Sequence, residues 1–245
     1  MSIWGKVLGG TAGFALGGPI GAIIGVMVGG SLTKRQSSIF SRKTITNEQK
    51  KNIFALSVII LSAKIAKADG EVTKDEILAF KEKFKIPNSE MSQVGKIFNE
   101  AKKNTFGYKK IADQVGELFS DNQIILEELL NNLFYIAESD GIISLNEIDL
   151  LKSISQSFHL SENDFQRIFH TRLENKKSDP YKILDVNRDN TDSEIRKKWI
   201  MLNKEHHPDN LIAKGMPQEF IDQANDELSS INFAYDKIKE LRGIS

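Results

Sequence analysis

The chain has 245 residues, no cysteine, and 33 basic side chains against 33 acidic ones. The even charge argues against nucleic acid as the main partner, since phosphate binding needs a large basic surplus. The missing thiols exclude disulfides and thiolate zinc sites. Proline is scarce and the long segments are rich in Leu, Ile, Lys and Glu, which predicts an all-α protein.

Residues 1–47 contain no Asp or Glu, and their only charged side chains are Lys6, Lys34, Arg35, Arg42 and Lys43. The stretch 7–33 is uncharged. As a helix it would extend about 40 Å at about 1.5 Å per residue, against a hydrocarbon core of about 30 Å. Gly9, Gly13, Gly17, Gly21, Gly25 and Gly29 recur every fourth residue and so share one helix face. Such a stripe is costly in water, where each interior Gly loses about 1 kcal/mol relative to Ala. In lipid it lets two helices approach closely. Residues 1–35 are therefore predicted to be a membrane anchor, a glycine-zipper helix suited to pairing with a second copy. A cleaved signal sequence would need a stronger basic start and an Ala-x-Ala-like site. A flexible tail would not keep the period of four. A hairpin broken at Gly17-Gly18-Pro19 stays open as an alternative to a single span. The basic flank at residues 34–43 places everything after it in the cytoplasm.

Residues 46–174 hold a motif twice. Ala66, Asp69, Gly70, Val72, Thr73 and Glu76 are matched by Ala137, Asp140, Gly141, Ile143, Ser144 and Glu147. Each copy follows one apolar helical pattern and precedes another. Asp-Gly supplies the helix stop, and Thr73/Glu76 or Ser144/Glu147 a capping box that starts the next helix. Further helices are expected at residues 90–103, 109–118 and 162–172, six or seven in all around one core. The unit Ala-x-x-Asp-Gly-x-(Ile/Val)-(Ser/Thr) resembles the TerB-like domain of tellurite-resistance proteins. That resemblance implies an all-helical bundle and raises metal binding at Asp69, Glu76, Asp140 and Glu147. Capping already accounts for both glutamates, and only one carboxylate precedes each Gly, unlike a calcium loop. No metal and no cofactor is therefore expected.

Residues 178–245 read as three helices. Asp179 and Pro180 open a short first one. Thr191 and Glu194 box the start of the second, which shows Ile195, Trp199 and Leu202 on one face and Arg196, Lys197 and Lys204 on the other. It stops before Pro208. The third begins near Pro217 and carries Phe220, Ala224, Leu228, Ile231, Ala234, Tyr235 and Ile238 as one apolar stripe. His159 and His170 are read as residues without a role.

Pro180-Tyr181-x-Ile183-Leu184, Glu194-Ile195-Arg196-Lys197, His207-Pro208-Asp209 and Ile231-Asn232-x-Ala234-Tyr235 together resemble the J domain of DnaJ-like co-chaperones. Trp4-Gly5-Lys6, the apolar segment, the TerB-like middle and the run from Glu205 to Gly215 resemble the membrane-anchored DjlA-type J proteins, in the same order. The resemblance implies a co-chaperone of a DnaK-type heat-shock chaperone at the cytoplasmic face of a bacterial inner membrane. His207, Pro208 and Asp209 would form the loop that engages the chaperone ATPase. Arg196, Lys197 and Lys204, with Lys198 beside them, would meet its acidic surface. The family's second basic pair is replaced here by Ile200 and Met201. The competing class is a membrane-bound sensor or scaffold, whose TerB-like domain binds a partner or a metal ion. No catalytic constellation is present, so the chain is not expected to be an enzyme.

Overall fold

The computed structural model describes residues 3–5, 20–21, 46–68, 74–103, 107–138, 143–172 and 179–244. Among them there is no strand. Eleven helices follow from Asn47 onward: α1 Asn47–Ala68, α2 Lys74–Lys83, α3 Asn88–Lys103, α4 Tyr108–Leu118, α5 Gln123–Ala137, α6 Leu145–Ser157, α7 Glu162–Arg172, α8 Pro180–Ile183, α9 Asp192–Glu205, α10 Pro208–Ala213 and α11 Ile221–Arg242, with a 3-10 turn at Gln218–Phe220.

Two helices are apolar nearly all round, and they form the middle of the bundle. In α1, every residue from Ile53 to Ala63 is buried, including Ser57 and Ser62. A helix hydrophobic on every side has to be surrounded, and α1 is packed by α3, α4, α5 and α6. Its start is fixed by Thr46 and Gln49, each side chain accepting from the other's backbone N–H at 3.2 and 2.9 Å. In α5, residues 124–134 are all buried. Four of these are polar: Glu127, Glu128, Asn131 and Asn132. Ser144 caps α6 in a full capping box with Glu147. Thr73 lies outside the described residues, as do Asp69 and Asp140.

α4 and α6 lie so close that a Cβ added at Gly116 would come within 2.3 Å of the Ser157 carbonyl oxygen. Glycine is required there by backbone approach.

The buried apolar side chains of the described residues form two clusters. A small core belongs to the C-terminal helices alone: Tyr181, Ile183, Leu184, Ile195, Leu202, Ile231, Ala234 and Ile238. The larger core runs from α1–α7 into the C-terminal part and takes in Leu211, Met216, Phe220, Ile221 and Ala224. The stripe on α11 is therefore split. Its first two turns face the middle helices and its last turns face α8 and α9. Phe220 shows why the two parts stay together. Its ring centroid lies 5.0 Å from both Phe54 and Phe84 and 5.6 Å from Trp4. Burying one such side chain contributes roughly 1.5–3 kcal/mol. Polar bonds flank it: Lys85 with Asp222, Lys83 with Asp226 at 3.6 Å, and Gln223 Nε2 donating to the Lys83 carbonyl at 3.3 Å.

The first residues also reach this junction. Trp4 is fully buried and its Nε1–H donates to the Phe84 carbonyl at 3.2 Å. The Ile3 N–H donates to Glu219 at 2.8 Å, and the Ile20 N–H to Gln114 at 3.0 Å. Of the six stripe glycines only Gly21 is among the described residues. No helix of the described residues is long and apolar enough to cross a membrane.

Gly116→Ala should destabilise the protein by about 1–3 kcal/mol through overpacking. Urea unfolding checks this, and a midpoint equal to that of the native chain would refute the close approach.

Candidate functional site

α9 and the loop after it are built by local rules. Thr191 and Glu194 form the capping box: the Thr191 N–H donates to Glu194 Oε2 at 2.8 Å, and Glu194 N–H to Thr191 Oγ1 at 3.3 Å. Hydrogen bonds from Thr191 and Asn190 hold the Glu194 carboxyl below its usual range. The inner face seats Ile195 and Leu202. Trp199 stacks on Tyr235 with centroids 4.3 Å apart and planes 7° from parallel, and its Nε1–H donates to Asn232 Oδ1 at 2.8 Å. This leaves α9 only one way to face α11.

The outer face of α9 carries Arg196, Lys197 and Lys204, all exposed. Lys197 and Lys204 are two turns apart and nearly aligned. Between them stand Ile200 and Met201, 50% and 41% exposed. Lys198 is different: its ammonium is held by Asp185 at 2.8 Å. It does not join the outward set.

The loop differs from expectation at one point. Pro208 ends α9, yet it also begins another helix, α10, as its first residue. His207 is the N-cap, its Nδ1 accepting from the Asp209 N–H at 3.2 Å. Asn210 Nδ2 donates to the Glu205 carbonyl at 2.7 Å and so satisfies the end of α9. Leu211 plugs the short helix into the larger core. The side chains of His207 and Asp209 remain 56% and 91% exposed. The structure thus places His207, Pro208, Asp209, Arg196, Lys197 and Lys204 along one helix and its end, facing outward.

His206, one residue before, faces inward and is fully buried. Sequence reading gave it no role. Its Nδ1 lies 2.9 Å from Glu128 Oε1, and its Nε2 is 3.8 Å from Glu127 Oε2. Arg167 of α7 bridges Glu127 of α5 and Glu227 of α11. Asn131 Nδ2 donates to Glu227 Oε2 at 2.6 Å, and Arg172 Nε donates to Asn131 Oδ1 at 2.6 Å. The cluster therefore joins four elements, with Glu127, Glu128, Arg167 and Arg172 from the middle domain and His206 and Glu227 from the C-terminal part.

Burial pushes the carboxyls of Glu127 and Glu128 up, in the second case aided by Glu227. Burial opposes ionisation of Glu227 too, but His206 and Arg167 outweigh it and hold that carboxyl low. Burial likewise opposes charge on His206, but Glu227 and the bond to Glu128 outweigh it and raise the imidazole. Glu128, His206 and Glu227 each bring a potential metal-binding atom within 4.8 Å of the others. They do not suit a cation. Both Glu227 oxygens already accept from Arg167 and Asn131, and two guanidiniums border the space. The signal for this cluster was present in α5, where Glu127-Glu128 and Asn131-Asn132 interrupt an otherwise apolar helix four residues apart.

Of the metal candidates in the middle domain, Glu147 is occupied as a cap, accepting from the Ser144 N–H at 2.9 Å. Asp69 and Asp140 lie outside the described residues, as does the Glu76 side chain.

A helical hairpin with an exposed His-Pro-Asp loop and a basic outer helix defines a J-domain protein, and the DnaJ domain model matches residues 179–240. The tellurite resistance protein TerB model matches residues 55–170, and the co-chaperone DjlA transmembrane domain model matches residues 1–37. With these three in this order, the chain belongs to the membrane-anchored DjlA-type J-domain proteins with a TerB-like middle domain. It is similar along nearly its whole length to the co-chaperone protein DjlA of several bacteria. Identity is 26% with that of Photobacterium profundum, covering 98% of this chain and 99% of the relative. It is 26% with that of Coxiella burnetii, covering 98% of each. It is 27% with that of Shewanella oneidensis, covering all of both. No solved structure matches.

Arg167→Leu would leave Glu127 and Glu227 as uncompensated buried charges. The expected loss of stability is about 3–5 kcal/mol. Denaturant unfolding measures it, and a loss below about 1 kcal/mol, the range of surface pairs, would mean the cluster is solvated.

Proposed function

We propose that this protein is a co-chaperone that stimulates ATP hydrolysis by a DnaK-type heat-shock chaperone at the cytoplasmic face of a bacterial inner membrane. The observation that carries this reading is the posture of the loop. Leu211 and His206 tie its two ends into buried cores, while His207 and Asp209 stand out in solvent. A loop so fixed presents its two polar side chains without an ordering cost on binding. Asp209 is the anion for a basic group beside the chaperone's nucleotide domain, and Arg196, Lys197 and Lys204 steer its acidic surface by screened charge. Ile200 and Met201 add an apolar strip where other J proteins carry charge. That favours one partner over others by contact, at some cost in long-range steering. The groups that hydrolyse ATP belong to the chaperone.

The similarity of residues 1–37 to a transmembrane domain supports an anchored protein. The basic flank at residues 34–43 supports a cytoplasmic C-terminal part. A single crossing by residues 7–33 would take Trp4 away from its place beside Phe84 and Phe220, whereas a hairpin broken at Gly17-Gly18-Pro19 would keep it there. The glycine stripe supports pairing of two anchors.

The full chain in detergent should accelerate single-turnover ATP hydrolysis by a bacterial DnaK-type chaperone. His207→Gln and Asp209→Asn should each remove at least about nine-tenths of that acceleration, equivalent to more than about 1.4 kcal/mol, with helical content unchanged. Full stimulation by the double variant would refute the reading.

For the anchor, Gly17→Leu with Gly21→Leu should keep the protein in the membrane and abolish crosslinked dimers. An unchanged dimer yield would show that the stripe does not mediate pairing.

A further inference from the structure

The two parts of the chain meet across a cleft in the middle domain that is charged, buried and filled. Its walls are Glu127, Glu128 and Asn131 of α5 and Arg167 and Arg172 of α7. What fills it comes from the J domain: His206 at the end of α9 and Glu227 of α11. We propose that this cleft is the binding site of the TerB-like domain, that its ligand is the J domain of the same chain, and that the grip depends on one proton held between His206 and Glu128.

Three buried carboxylates face two guanidiniums, which leaves one negative charge in a medium that tolerates none. A proton on the imidazole cancels it. The geometry puts that proton in place: Nδ1 of His206 and Oε1 of Glu128 are 2.9 Å apart, with both side chains fully buried. Glu128 Oε2 and His206 Nε2 have no hydrogen-bond partner, and the imidazole stands 3.8 Å from both Glu127 Oε2 and Glu227 Oε1. Asp164 and Glu138 are the further charged groups that face the cluster, and both lie at its half-buried rim. A dication in place of the proton would meet Arg167 and Arg172 and a Glu227 with no open oxygen.

The pH consequence has a definite sign. The imidazole's proton affinity is raised in the docked form above its ordinary 6.5. Its contribution is therefore complete below about pH 6.5 and is lost as pH rises through the docked value. Above that the cleft holds an unbalanced carboxylate and the domains separate. Substitutions follow the same count. His206→Gln removes the positive charge and should undock the J domain wherever the Glu128 carboxyl is ionised, at about pH 6 and above. Glu128→Gln removes the extra negative charge and should hold the domains together even in alkali. The two together should also hold.

The chain has no cysteine, so two can be introduced for spin labels without background. Glu117→Cys on α4 and Asp236→Cys on α11 are exposed positions on the two parts. In the full chain in detergent, pulsed electron–electron resonance should give one narrow distance distribution at about pH 6, and a separate broad component grown at least about fivefold at about pH 9. His206→Gln should be broad at both, Glu128→Gln and the double variant narrow at both. Circular dichroism of each variant shows that the helices persist. A narrow distribution for the native chain at both pH values overturns the proposal, as does one for His206→Gln. Glu128→Gln as broad as His206→Gln overturns the charge count and leaves only a local contact. Broadening of the native chain at about pH 6 on adding a chelator would make the site a metal site and overturn the proton.

Discussion

Arg167 lies out of water between two carboxylates that come from helices separated by a hundred residues of chain. Everything around it is arranged so that this is tolerable. Glu127 and Glu227 accept from its guanidinium, Asn131 supports Glu227, and Arg172 supports Asn131. A buried ion pair is seldom a large net source of stability, since desolvation cancels most of the attraction. Its effect is on choice of arrangement. Apolar contacts among Phe54, Phe84 and Phe220 would tolerate small slides and rotations of α11. The ionic contacts would not, because any shift strands a charge. The aromatic pocket contributes adhesion, and the charged cleft selects one pose and works against that adhesion when its charges do not balance.

That pose explains the loop. In this chain the J-domain residues Leu211, Met216 and Phe220 belong to the larger core shared with the middle helices, and Phe220 packs on Phe54 and Phe84. The residues that shape the loop are therefore partly those of the TerB-like domain. His206 and His207 are neighbours with opposite duties. One is fixed in the cleft and the other is turned out to the solvent with Asp209. The extended backbone at His207, φ −63° and ψ 132°, is the pivot between them.

The sequence made the local features legible. The capping boxes at Ser144/Glu147 and Thr191/Glu194 and the Asp179 cap ahead of Pro180 depend on residues three apart or closer, and each stands where spacing put it. The outward set on α9 follows from helical period alone. Lys198 escaped that logic because Asp185, thirteen residues back, reaches it through a left-handed turn at φ 50°. α10 escaped because proline stops one helix as readily as it starts the next. The charged cluster escaped for a deeper reason. Its members sit at 127, 128, 167, 172, 206 and 227, and no spacing rule joins positions that far apart. Only the polar residues inside an apolar α5 announced that something had to meet them. The division of the α11 stripe was hidden in the same way, since an apolar face does not say which of two neighbours it covers.

The order in which these groups leave the ribosome gives the cluster a history. Glu127, Glu128 and Arg167 are made first, and Glu227 comes sixty positions after Arg167. At translation rates of about 5–20 residues per second the middle helices can close several seconds before α11 exists. In that interval the cleft is an open, hydrated mouth lined by charges of both signs, beside an aromatic pocket that Phe220 has yet to cover. The last helix then arrives on a template that is already folded. The His-Pro-Asp loop would gain its shape at the end of synthesis, so a truncated chain would carry the motif without presenting it.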